Sequence, residues 1–320
     1  MKAMIIKGFG GPDVFEAREL PKPDPGPGEV LVKVHAVSIN PVDTKIRAAG
    51  AWAGIKPPAV IGYDLSGEIE AVGLGVQDFK PGDEVYYTPE IFGKGDQPAQ
   101  GSYAEYHVAN EAIVALKPDN LSHPEAASIP LAGGTAWDAL VPRGMLQVGE
   151  TILIHGAGGV GSLAIQIARA AGARVFVTCS DYMVAEVKRL GADQAINYKS
   201  QDFVKIVQEL TGSQGVDLVF DTVGGEAMSK SIAVTRPFGR MVGIVNSKGS
   251  LDAAFRKNIS VHFSFLMRAR YKLIALRQMI ERGQLKPVID SIMPLEKVAE
   301  AHRRLKAGGV RGKLVLKVAE

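Results

Sequence analysis

The sequence predicts an α/β protein that combines a doubly wound parallel sheet with a small β-barrel. Three observations predict this fold class. A glycine-rich loop directly follows a buried strand at residues 151–161. From about residue 121 onward, segments of strand and helix length alternate, as they do in parallel sheets. Residues 1–120 instead contain short strand-like segments punctuated by glycine and proline, which is typical of small barrels.

The glycine loop matches the turn that binds a dinucleotide. T-I-L-I-H leads into G-A-G-G-V-G, a helical apolar pattern follows, and R-V-F-V-T forms the next strand. The residues of the loop are Gly156, Gly158, Gly159, Val160 and Gly161, of which the first, second and last fit G-x-G-x-x-G. Such glycines allow a tight turn, a close approach to a pyrophosphate and helix packing, and the helix N-terminus binds the phosphates. A glycine turn without a nucleotide is the alternative, but the complete context favours a Rossmann domain.

The remaining elements are predicted in chain order. In the first part, strands are expected at residues 29–37, after a turn at 81–85 and at 101–108, with an exposed loop at 88–100. In the second part, strands are expected at 195–197, 216–220, 240–245 and 261–265, with helices at 182–190, 203–210 and 226–234. Helices at 271–282 and 295–306 precede a strand at 312–318 that is expected to return to the first domain. The predicted domains are residues 1–120, completed by 268–320, and residues 121–267.

Composition narrows the class of protein. A net charge of +3 without a run of Lys or Arg gives no sign of a nucleic-acid or anionic-membrane surface. No apolar run has the length of a membrane span, and the N-terminus does not have the pattern of a signal peptide. The one cysteine, Cys179, excludes a disulfide framework and fits a reducing compartment. A soluble cytoplasmic protein is therefore expected.

Seven motifs spread over the chain resemble one protein family. They are N-P-V-D-T-K-I-R (40–47), G-Y-D-L-S-G (62–67), P-G-D-E-V (81–85), G-S-Y-A-E-Y (101–106), A-G-G-T-A (132–136), H-G-A-G-G-V-G (155–161) and R-G-K-L-V-L (311–316). Together they resemble the medium-chain dehydrogenase/reductase superfamily, and within it the zinc-independent, zeta-crystallin-like quinone oxidoreductases. The resemblance implies a GroES-like β-barrel domain, a Rossmann domain, a nicotinamide cleft between them and a homodimer formed by edge-to-edge pairing of the Rossmann sheets.

The zinc ligands of the alcohol dehydrogenases in this superfamily are missing from the sequence. By the resemblance, the first cysteine ligand would fall within residues 41–43, P-V-D, and the histidine ligand at Tyr63. With one cysteine and six scattered histidines, which are interpreted as structural, no zinc site is predicted. Without a Lewis acid to hold an alkoxide, reduction of an already electrophilic quinone or enone is favoured over alcohol oxidation.

Four candidate catalytic residues come from the resemblance. Tyr63 is placed near the nicotinamide and could donate its hydroxyl proton to a developing oxyanion, or it could simply pack in the cleft wall. Asn40 and Asp43 resemble the polar pair of the active-site floor, although Asp43 could equally cap a turn or a helix. Thr135 resembles the threonine near the nicotinamide ring, or it could begin a helix. No acid–base dyad or nucleophile is visible, so water is a candidate source of the final proton.

The end of the second Rossmann strand favours NADPH over NADH. NAD-specific domains carry an acidic residue at this point, and by count that position is Thr178. Ser180 and Tyr198 resemble the serine and the tyrosine that contact the 2′-phosphate in NADPH-dependent relatives. Two features oppose NADPH: the usual lysine is Met183, and Asp181 is close enough to repel a phosphate. NADH is therefore kept as the alternative cofactor.

Further positions carried over by the resemblance belong to the ends of later strands and to the C-terminal segment. The cofactor-binding candidates are Val223, Ile244 and Phe265, with Gly312 and Lys313 closing over the cofactor. For the apolar residues, sheet packing is an equally good interpretation. Trp52, Ile91 and Phe92 suggest an apolar wall for the substrate.

The sequence thus predicts a zinc-independent, NADPH-dependent oxidoreductase that transfers hydride to a small apolar quinone or α,β-unsaturated carbonyl. A 2-enoyl thioester reductase is a variant, although no basic cluster suited to a CoA phosphate is present. The alternative is a nicotinamide-nucleotide-binding protein with little turnover, structural or regulatory, because a fold does not decide a function. The intact residues Asn40, Asp43 and Tyr63 favour the enzyme.

Overall fold

The computed structural model describes residues 1–90 and 100–318. The chain divides into two compact units: the first comprises Met1–Leu131, Arg268–Arg282 and Pro287–Glu320, and the second comprises Ala132–Met267 and Gly283–Lys286. The first unit extends past residue 120, the predicted boundary, because the short helix His123–Ala127 packs against strands of that unit. Among the described residues, no helix is long and apolar enough to cross a membrane.

The elements are numbered along the whole chain. The strands are β1 (Lys2–Ile6), β2 (Phe15–Glu19), β3 (Glu29–Ile39), β4 (Ala59–Val60), β5 (Leu65–Val72), β6 (Glu84–Tyr87), β7 (Tyr106–Asn110), β8 (Ala115–Leu116), β9 (Thr151–His155), β10 (Arg174–Cys179), β11 (Gln194–Asn197), β12 (Val216–Asp221), β13 (Thr235–Gly243), β14 (Ser260–Phe263), β15 (Ile289–Pro294) and β16 (Lys313–Lys317). The helices are α1 (Pro41–Ala49), α2 (His123–Ala127), α3 (Pro130–Asp138), α4 (Gly159–Ala170), α5 (Val184–Arg189), α6 (Phe203–Leu210), α7 (Ala227–Ser231), α8 (Asp252–Arg256), α9 (Arg270–Glu281) and α10 (Val298–Ala307).

The first unit is built on two sheets. The larger has the order β15-β16-β3-β5-β6-β8, with β7 also paired to β3, and the smaller has the order β2-β1-β4. The long strand β3 buries Val30, Val32 and Val34, the alternating residues that its sequence predicts, and it also buries Leu31 and Val37 on the opposite face. As predicted, the C-terminal strand returns to this unit, where β16 pairs antiparallel with β3. It also pairs in parallel with β15, a strand that the sequence analysis missed because it is short and lies between two predicted helices.

Two predictions for the first unit are wrong. Only strands, turns and loops are predicted within residues 1–120, yet Pro41 at the first turn and a capping box of Asn40 with Asp43 begin the helix α1. Residues 101–105 are not a regular strand: the N–H groups of Gly101 and Tyr103 bond to the carbonyl groups of Val60 and Ile61, and only β7 pairs with β3. Most of the predicted loop at 88–100 lies outside the described residues.

The second unit contains a six-stranded sheet that is parallel throughout. Its order is β11-β10-β9-β12-β13-β14, so that the first strand in sequence, β9, is central and the chain winds outward to both edges. This order confirms the predicted doubly wound Rossmann sheet. The strand β13 begins earlier than expected, at Thr235, and β14 ends earlier, at Phe263. The predicted helices at 182–190 and 226–234 are each split into a short α-helix and a 3₁₀ turn.

Candidate active site

The loop after β9 has the geometry that its glycines predict. Gly156 has φ +93°, and a Cβ there would lie 2.5 Å from the hydroxyl of Thr222. A Cβ on Gly161 would lie 2.1 Å from the carbonyl oxygen of Gly156, so the start of α4 packs directly on the loop. Gly158, in contrast, has nothing within 4 Å of its Cβ position. The loop is therefore closed on its inner side and open at Gly158, where a pyrophosphate could approach the N–H groups of Gly159 and Val160.

The end of β10 brings together two of the residues that were predicted to select the cofactor. The hydroxyl of Ser180 donates to the hydroxyl of Tyr198, 3.3 Å away, and Tyr198 is 55% exposed. Asp181 accepts a long hydrogen bond of 3.5 Å from the side chain of Asn197. Thr178 differs from the prediction: its hydroxyl is buried against the ring of His155, 2.9 Å away, because β10 continues through Cys179 before the chain leaves the sheet. The side chain available at the strand end is therefore Ser180.

The ends of β12, β13 and β14 present the other predicted cofactor residues. Asp221 closes the turn after β12 by accepting the N–H groups of Val223 and Gly224, each at 2.9 Å. Val223 is 57% exposed and Phe265 is 69% exposed, whereas Ile244 is half-buried. The exposure of Val223 and Phe265 is more than sheet packing alone would leave. All three follow the carboxyl ends of parallel strands, where ligands of doubly wound sheets bind.

In the first unit, Asn40 and Asp43 form a buried pair at the start of α1. The N–H of Asn40 donates to Oδ2 of Asp43 over 2.7 Å, which confirms the interpretation of Asp43 as a helix cap. The side-chain amide of Asn40 donates to Oδ2 of Asp64, also over 2.7 Å. Burial raises the pKa of Asp43 to about 7, against the opposing effect of the hydrogen bond from Asn40.

Asp64 binds the ammonium group of Lys313 inside the first unit. Oδ2 of Asp64 lies 3.0 Å from Nζ of Lys313 and 2.7 Å from the hydroxyl of Ser38, and Oδ1 accepts the N–H of Leu131 over 2.7 Å. Lys313 also donates to the side-chain oxygen of Asn40. Both charged residues are buried, so the pair is maintained by these additional hydrogen bonds. This position places Lys313 in a polar cluster of Asn40, Asp43, Asp64 and Lys313 (the polar cluster below).

Tyr63 directly precedes Asp64 and is 3% exposed. The guanidinium of Arg268 lies over its ring, 5.2 Å from the ring centre, and is held there because Nε of Arg268 donates to the carbonyl of Pro89 over 2.7 Å. Burial raises the pKa of the Tyr63 hydroxyl, although the positive charge of Arg268 opposes that shift. Tyr63 is therefore a neutral hydroxyl at physiological pH, able to donate a hydrogen bond.

The other predicted site residues do not belong to the polar cluster, although Gly312 supports it through Lys313. Thr135 is buried within α3 in the second unit; it does not begin a helix, because α3 begins at Pro130. Gly312 has φ +88°, and a Cβ there would lie 2.1 Å from the carbonyl oxygen of Val288, so it joins β15 to β16 and places Lys313. Trp52 is exposed after α1, whereas Ile91 and Phe92 lie outside the described residues.

Comparison with known proteins identifies the family. The alcohol dehydrogenase GroES-like domain matches residues 26–119, and a zinc-binding dehydrogenase domain matches residues 190–316. The quinone oxidoreductase of Homo sapiens is 34% identical over 99% of this chain and 97% of its own length. The chain belongs to the quinone oxidoreductase family of medium-chain dehydrogenases/reductases.

Two further similarities lie within the same superfamily. The 2-methylene-furan-3-one reductase of Solanum lycopersicum is 36% identical over 99% of this chain and 79% of its own length. A solved NAD-dependent alcohol dehydrogenase shares 37% identity, with a TM-score of 0.92 and complete coverage of both chains. The GroES-like barrel and the Rossmann sheet expected from the sequence are thus both confirmed.

The residues of this quinone oxidoreductase family member do not fit the zinc ion that the second domain name implies. Its one cysteine, Cys179, is buried at the end of β10, where burial raises the pKa of the thiol. The carboxylate of Asp64, which precedes β5 beside Tyr63, is already paired with an ammonium group that would repel a metal cation. The described residues contain no group of three or more His, Cys, Asp or Glu side chains that could hold a metal. These side chains therefore do not provide the ligands of a catalytic zinc ion.

Sequence reasoning missed two residues of the site. Asp64 lies within the motif G-Y-D-L-S-G, but a single acidic residue before a strand gives no sign that it will receive four donors. Arg268 lies in M-R-A-R-Y, a segment without a motif, and meets Tyr63 only in the folded chain. For Lys313 the sequence did contain a sign of burial, because this lysine of R-G-K-L-V-L begins an apolar strand.

Proposed function

We propose that this protein is a zinc-independent, NADPH-dependent reductase of quinones or α,β-unsaturated carbonyls. The observation that carries the proposal is the polar cluster. In it, the ammonium group of Lys313 and the side-chain amide of Asn40 both bind the carboxylate of Asp64, the residue after Tyr63. These groups are hydrogen-bond donors. They suit an acceptor that is already electrophilic and gains negative charge on an oxygen atom.

In this reaction the protein positions the acceptor and stabilises the negative charge that develops on its oxygen atom. When bound, reduced nicotinamide would supply a hydride to a quinone or to the β-carbon of an enone, so the protein would have to stabilise negative charge on the acceptor oxygen. The hydroxyl of Tyr63 is the proposed donor to that oxygen, because burial raises its pKa and keeps it protonated. Arg268 fixes the ring of Tyr63 and adds positive charge beside it.

The relatives support both acceptor classes. By its name, the human relative acts on quinones, and the tomato relative reduces 2-methylene-furan-3-one, a carbonyl conjugated to an exocyclic double bond. The alternative of a binding protein with little turnover is disfavoured, because Asn40, Asp43 and Tyr63 form an organised buried site.

The proposal of NADPH rests on Ser180 and Tyr198. Their hydroxyl groups meet at 3.3 Å just beyond β10, the place where the ribose of the adenosine binds in this fold. The opposing observations are Asp181 beside them and the NAD-dependent structural relative.

We expect Ser180→Ala with Tyr198→Phe to raise KM for NADPH about tenfold, from the loss of two hydrogen bonds to a charged group, and to leave KM for NADH unchanged. An equal effect on both cofactors would show that these residues do not select the phosphate.

The activity is tested by following nicotinamide absorbance with protein treated with EDTA. NADPH and NADH are compared with 1,4-benzoquinone, a 2-alkenal and a simple saturated ketone. Turnover of the quinone or the alkenal with NADPH, unchanged by EDTA, is the expected result. Tight binding of NADPH without turnover of any acceptor would instead favour the binding-protein alternative.

The role of Tyr63 is tested by Tyr63→Phe. Removal of one oxyanion donor is expected to lower kcat roughly 10- to 100-fold, with the Kd of NADPH unchanged, since the ring is kept and only the hydroxyl is lost. An unchanged kcat would assign Tyr63 to packing and exclude it as the oxygen donor.

We also propose a homodimer that pairs the β14 edges of two sheets. Within the described chain, β14 is an edge strand, and its last residue, Phe263, is exposed together with Phe265 and Met267 after it. Ser260→Lys with His262→Lys would place like charges along this edge. We expect light scattering to give a dimer for the native chain and a monomer for the double variant. A native monomer would contradict the proposal.

We also propose that the protein is located in the cytoplasm. The buried thiol of Cys179 has a raised pKa and is kept from oxidation by burial, which suits a reducing compartment without requiring one.

A further inference from the structure

Four buried side chains of the first unit form a hydrogen-bonded chain that leads to the polar cluster. Nη1 of Arg47 lies 3.4 Å from Nδ1 of His302, and Nε2 of His302 lies 3.2 Å from the hydroxyl of Tyr103. That hydroxyl donates to Oδ2 of Asp43 over 3.0 Å. All four residues are at most 3% exposed. The chain begins and ends on α1 and passes through α10, so it joins two distant parts of the sequence.

The direction of every bond in this chain follows from its first member. A guanidinium group has no acceptor, so Nδ1 of His302 must accept the bond from Arg47. Burial, followed by the charge of Arg47, lowers the pKa of His302 to about 3, so the ring is neutral and carries its one proton on Nε2. This Nε2–H donates to the oxygen of Tyr103, whose own proton is then directed to Asp43. Successive bonds of this kind polarise one another.

The carboxyl group of Asp43 is bonded unequally as a result. Oδ2 accepts two bonds, from Tyr103 and from the N–H of Asn40. Oδ1 is buried and has no partner among the described residues, so it is the atom that takes the proton when the group becomes neutral. Because Asn40 is fixed by the same Oδ2 and in turn binds Asp64 and Lys313, the charge on Asp43 governs the polar cluster.

We infer that Arg47, His302 and Tyr103 are positioning residues of the proposed active site, which act through Asp43 by directing a donor onto its carboxylate and so keeping Asn40 in place. The inference rests on the proposed function for its effect on turnover, but the titration of Asp43 does not depend on it. The charged or titratable groups around Asp43 are Arg47 on its own helix, His302 on α10, Tyr103 before β7, Tyr63 and Asp64 before β5 and Lys313 on β16, with Asp13 acting on Arg47.

The titration is measured by infrared spectroscopy of the full-length protein. The carbonyl band of the protonated carboxyl group is followed against pH, and Asp43→Asn identifies the band by its loss. In the native chain we expect a midpoint near the neutral range. In Tyr103→Phe we expect a midpoint about one unit higher, because a hydrogen bond to the charged form is lost. In His302→Leu a smaller upward shift is expected, and His302→Gln, whose amide can donate from the place of Nε2, restores the native midpoint.

The kinetic consequence separates positioning from general instability. With NADPH and 1,4-benzoquinone, Tyr103→Phe is expected to lose kcat about fivefold near pH 7, because a one-unit shift lowers the ionised fraction of Asp43 from about one half to about one tenth, and to recover most of it at higher pH, where Asp43 is ionised again. The matched control is Tyr87→Phe, which removes a bond of 2.8 Å between another buried tyrosine and His107. That variant is expected to keep the native midpoint and pH profile.

Either arm can overturn the inference. A midpoint that is the same in Tyr103→Phe, His302→Leu and the native chain rejects it, as does a loss of kcat in Tyr103→Phe that is equal at every pH. Absence of turnover in the native chain, together with the expected infrared shifts, would contradict the proposed function and leave the hydrogen-bond chain established.

Discussion

At the scale of single residues, the glycines after β9 show how one residue type serves two different requirements. Gly161 is necessary for packing, since a Cβ there would meet the carbonyl oxygen of Gly156 at 2.1 Å. Gly158 is not required by any neighbour among the described residues, because none of their atoms lies within 4 Å of its Cβ position and its φ of −74° suits any residue. Its absence of a side chain matters only if something from outside approaches the loop. This contrast is what a pyrophosphate site requires.

The contrast can be tested with two alanine substitutions. Gly161→Ala is expected to lower the free energy of unfolding by about 1–3 kcal/mol, because the loop and α4 must separate. Gly158→Ala is expected to change it by less than about 0.5 kcal/mol, yet to weaken NADPH binding at least about tenfold in calorimetric titration. If Gly158→Ala binds NADPH as tightly as the native chain does, the pyrophosphate does not approach at this residue.

At the scale of elements, β16 connects the C-terminus of the chain to the polar cluster. It lies between β15 and β3, and its first residue is Lys313. The turn into β16 is made by Gly312, with φ +88° and no room for a Cβ against Val288. The position of the ammonium group therefore depends on a backbone conformation one residue earlier in the chain.

Gly312→Ala is expected to lower the free energy of unfolding by about 2–3 kcal/mol and to lower kcat, since β16 must shift and move Lys313. The matched control is Gly309→Ala. Gly309 also has a positive φ, +75°, but nothing lies within 4 Å of its Cβ position, so only backbone strain of about 1 kcal/mol is expected, with native kcat. Equal losses in urea denaturation and in turnover for both variants would argue against the role of the close approach.

At the scale of the whole molecule, buried histidines make the fold sensitive to acid. His107 and His155 have pKa values lowered to about 4, and His302 has a pKa lowered to about 3, in each case mainly by burial. All three are hydrogen-bonded in the interior, as predicted for structural histidines. Asp43 acts in the opposite sense, because its pKa is raised to about 7 and the folded state holds its proton more tightly.

These shifts set the direction of the pH dependence. The histidines bind protons more readily in the unfolded chain, so their contribution is complete above about pH 6.5 and is lost as the pH falls toward 4. Asp43 offsets one of the three protons in that range. Between pH 6.5 and 4 these four groups are therefore expected to lower the free energy of unfolding by roughly 3 kcal/mol per pH unit near the middle of the range, from a difference of about two protons, and His123, whose pKa burial also lowers to about 4, increases this fall further.

Urea denaturation at a series of pH values measures this slope. His107→Gln removes one of the three histidines and is expected to reduce the slope by about 1.4 kcal/mol per pH unit, the value for one proton. A slope that is unchanged by His107→Gln would mean that this histidine is not kept neutral by the fold.

Local patterns in the sequence were sufficient for the Rossmann sheet and for the glycine loop, whereas Ser180 and Tyr198 were singled out by the family resemblance. The sheet and the loop depend on residues whose spacing is read directly along the chain: a strand, a turn and a helix. The dependence on local patterns also explains which elements the sequence analysis missed. The helix α1 and the strand β15 were missed because their apolar patterns are short, although the capping residues Asn40 and Asp43 were present as a signal.

The order of the strands, the return of β16 to β3, and the side chains that carry charge in the polar cluster were decided by the tertiary structure. Asp64 and Lys313 are 249 positions apart, and Tyr103 reaches His302 across 199 positions. No periodicity relates residues at such separations; they become partners because burial removes water from each polar group and leaves it only the donors and acceptors that the fold brings within reach. By itself, the sequence determined the Rossmann elements and the nicotinamide cofactor class that they suit, and folding alone determined which buried charges meet.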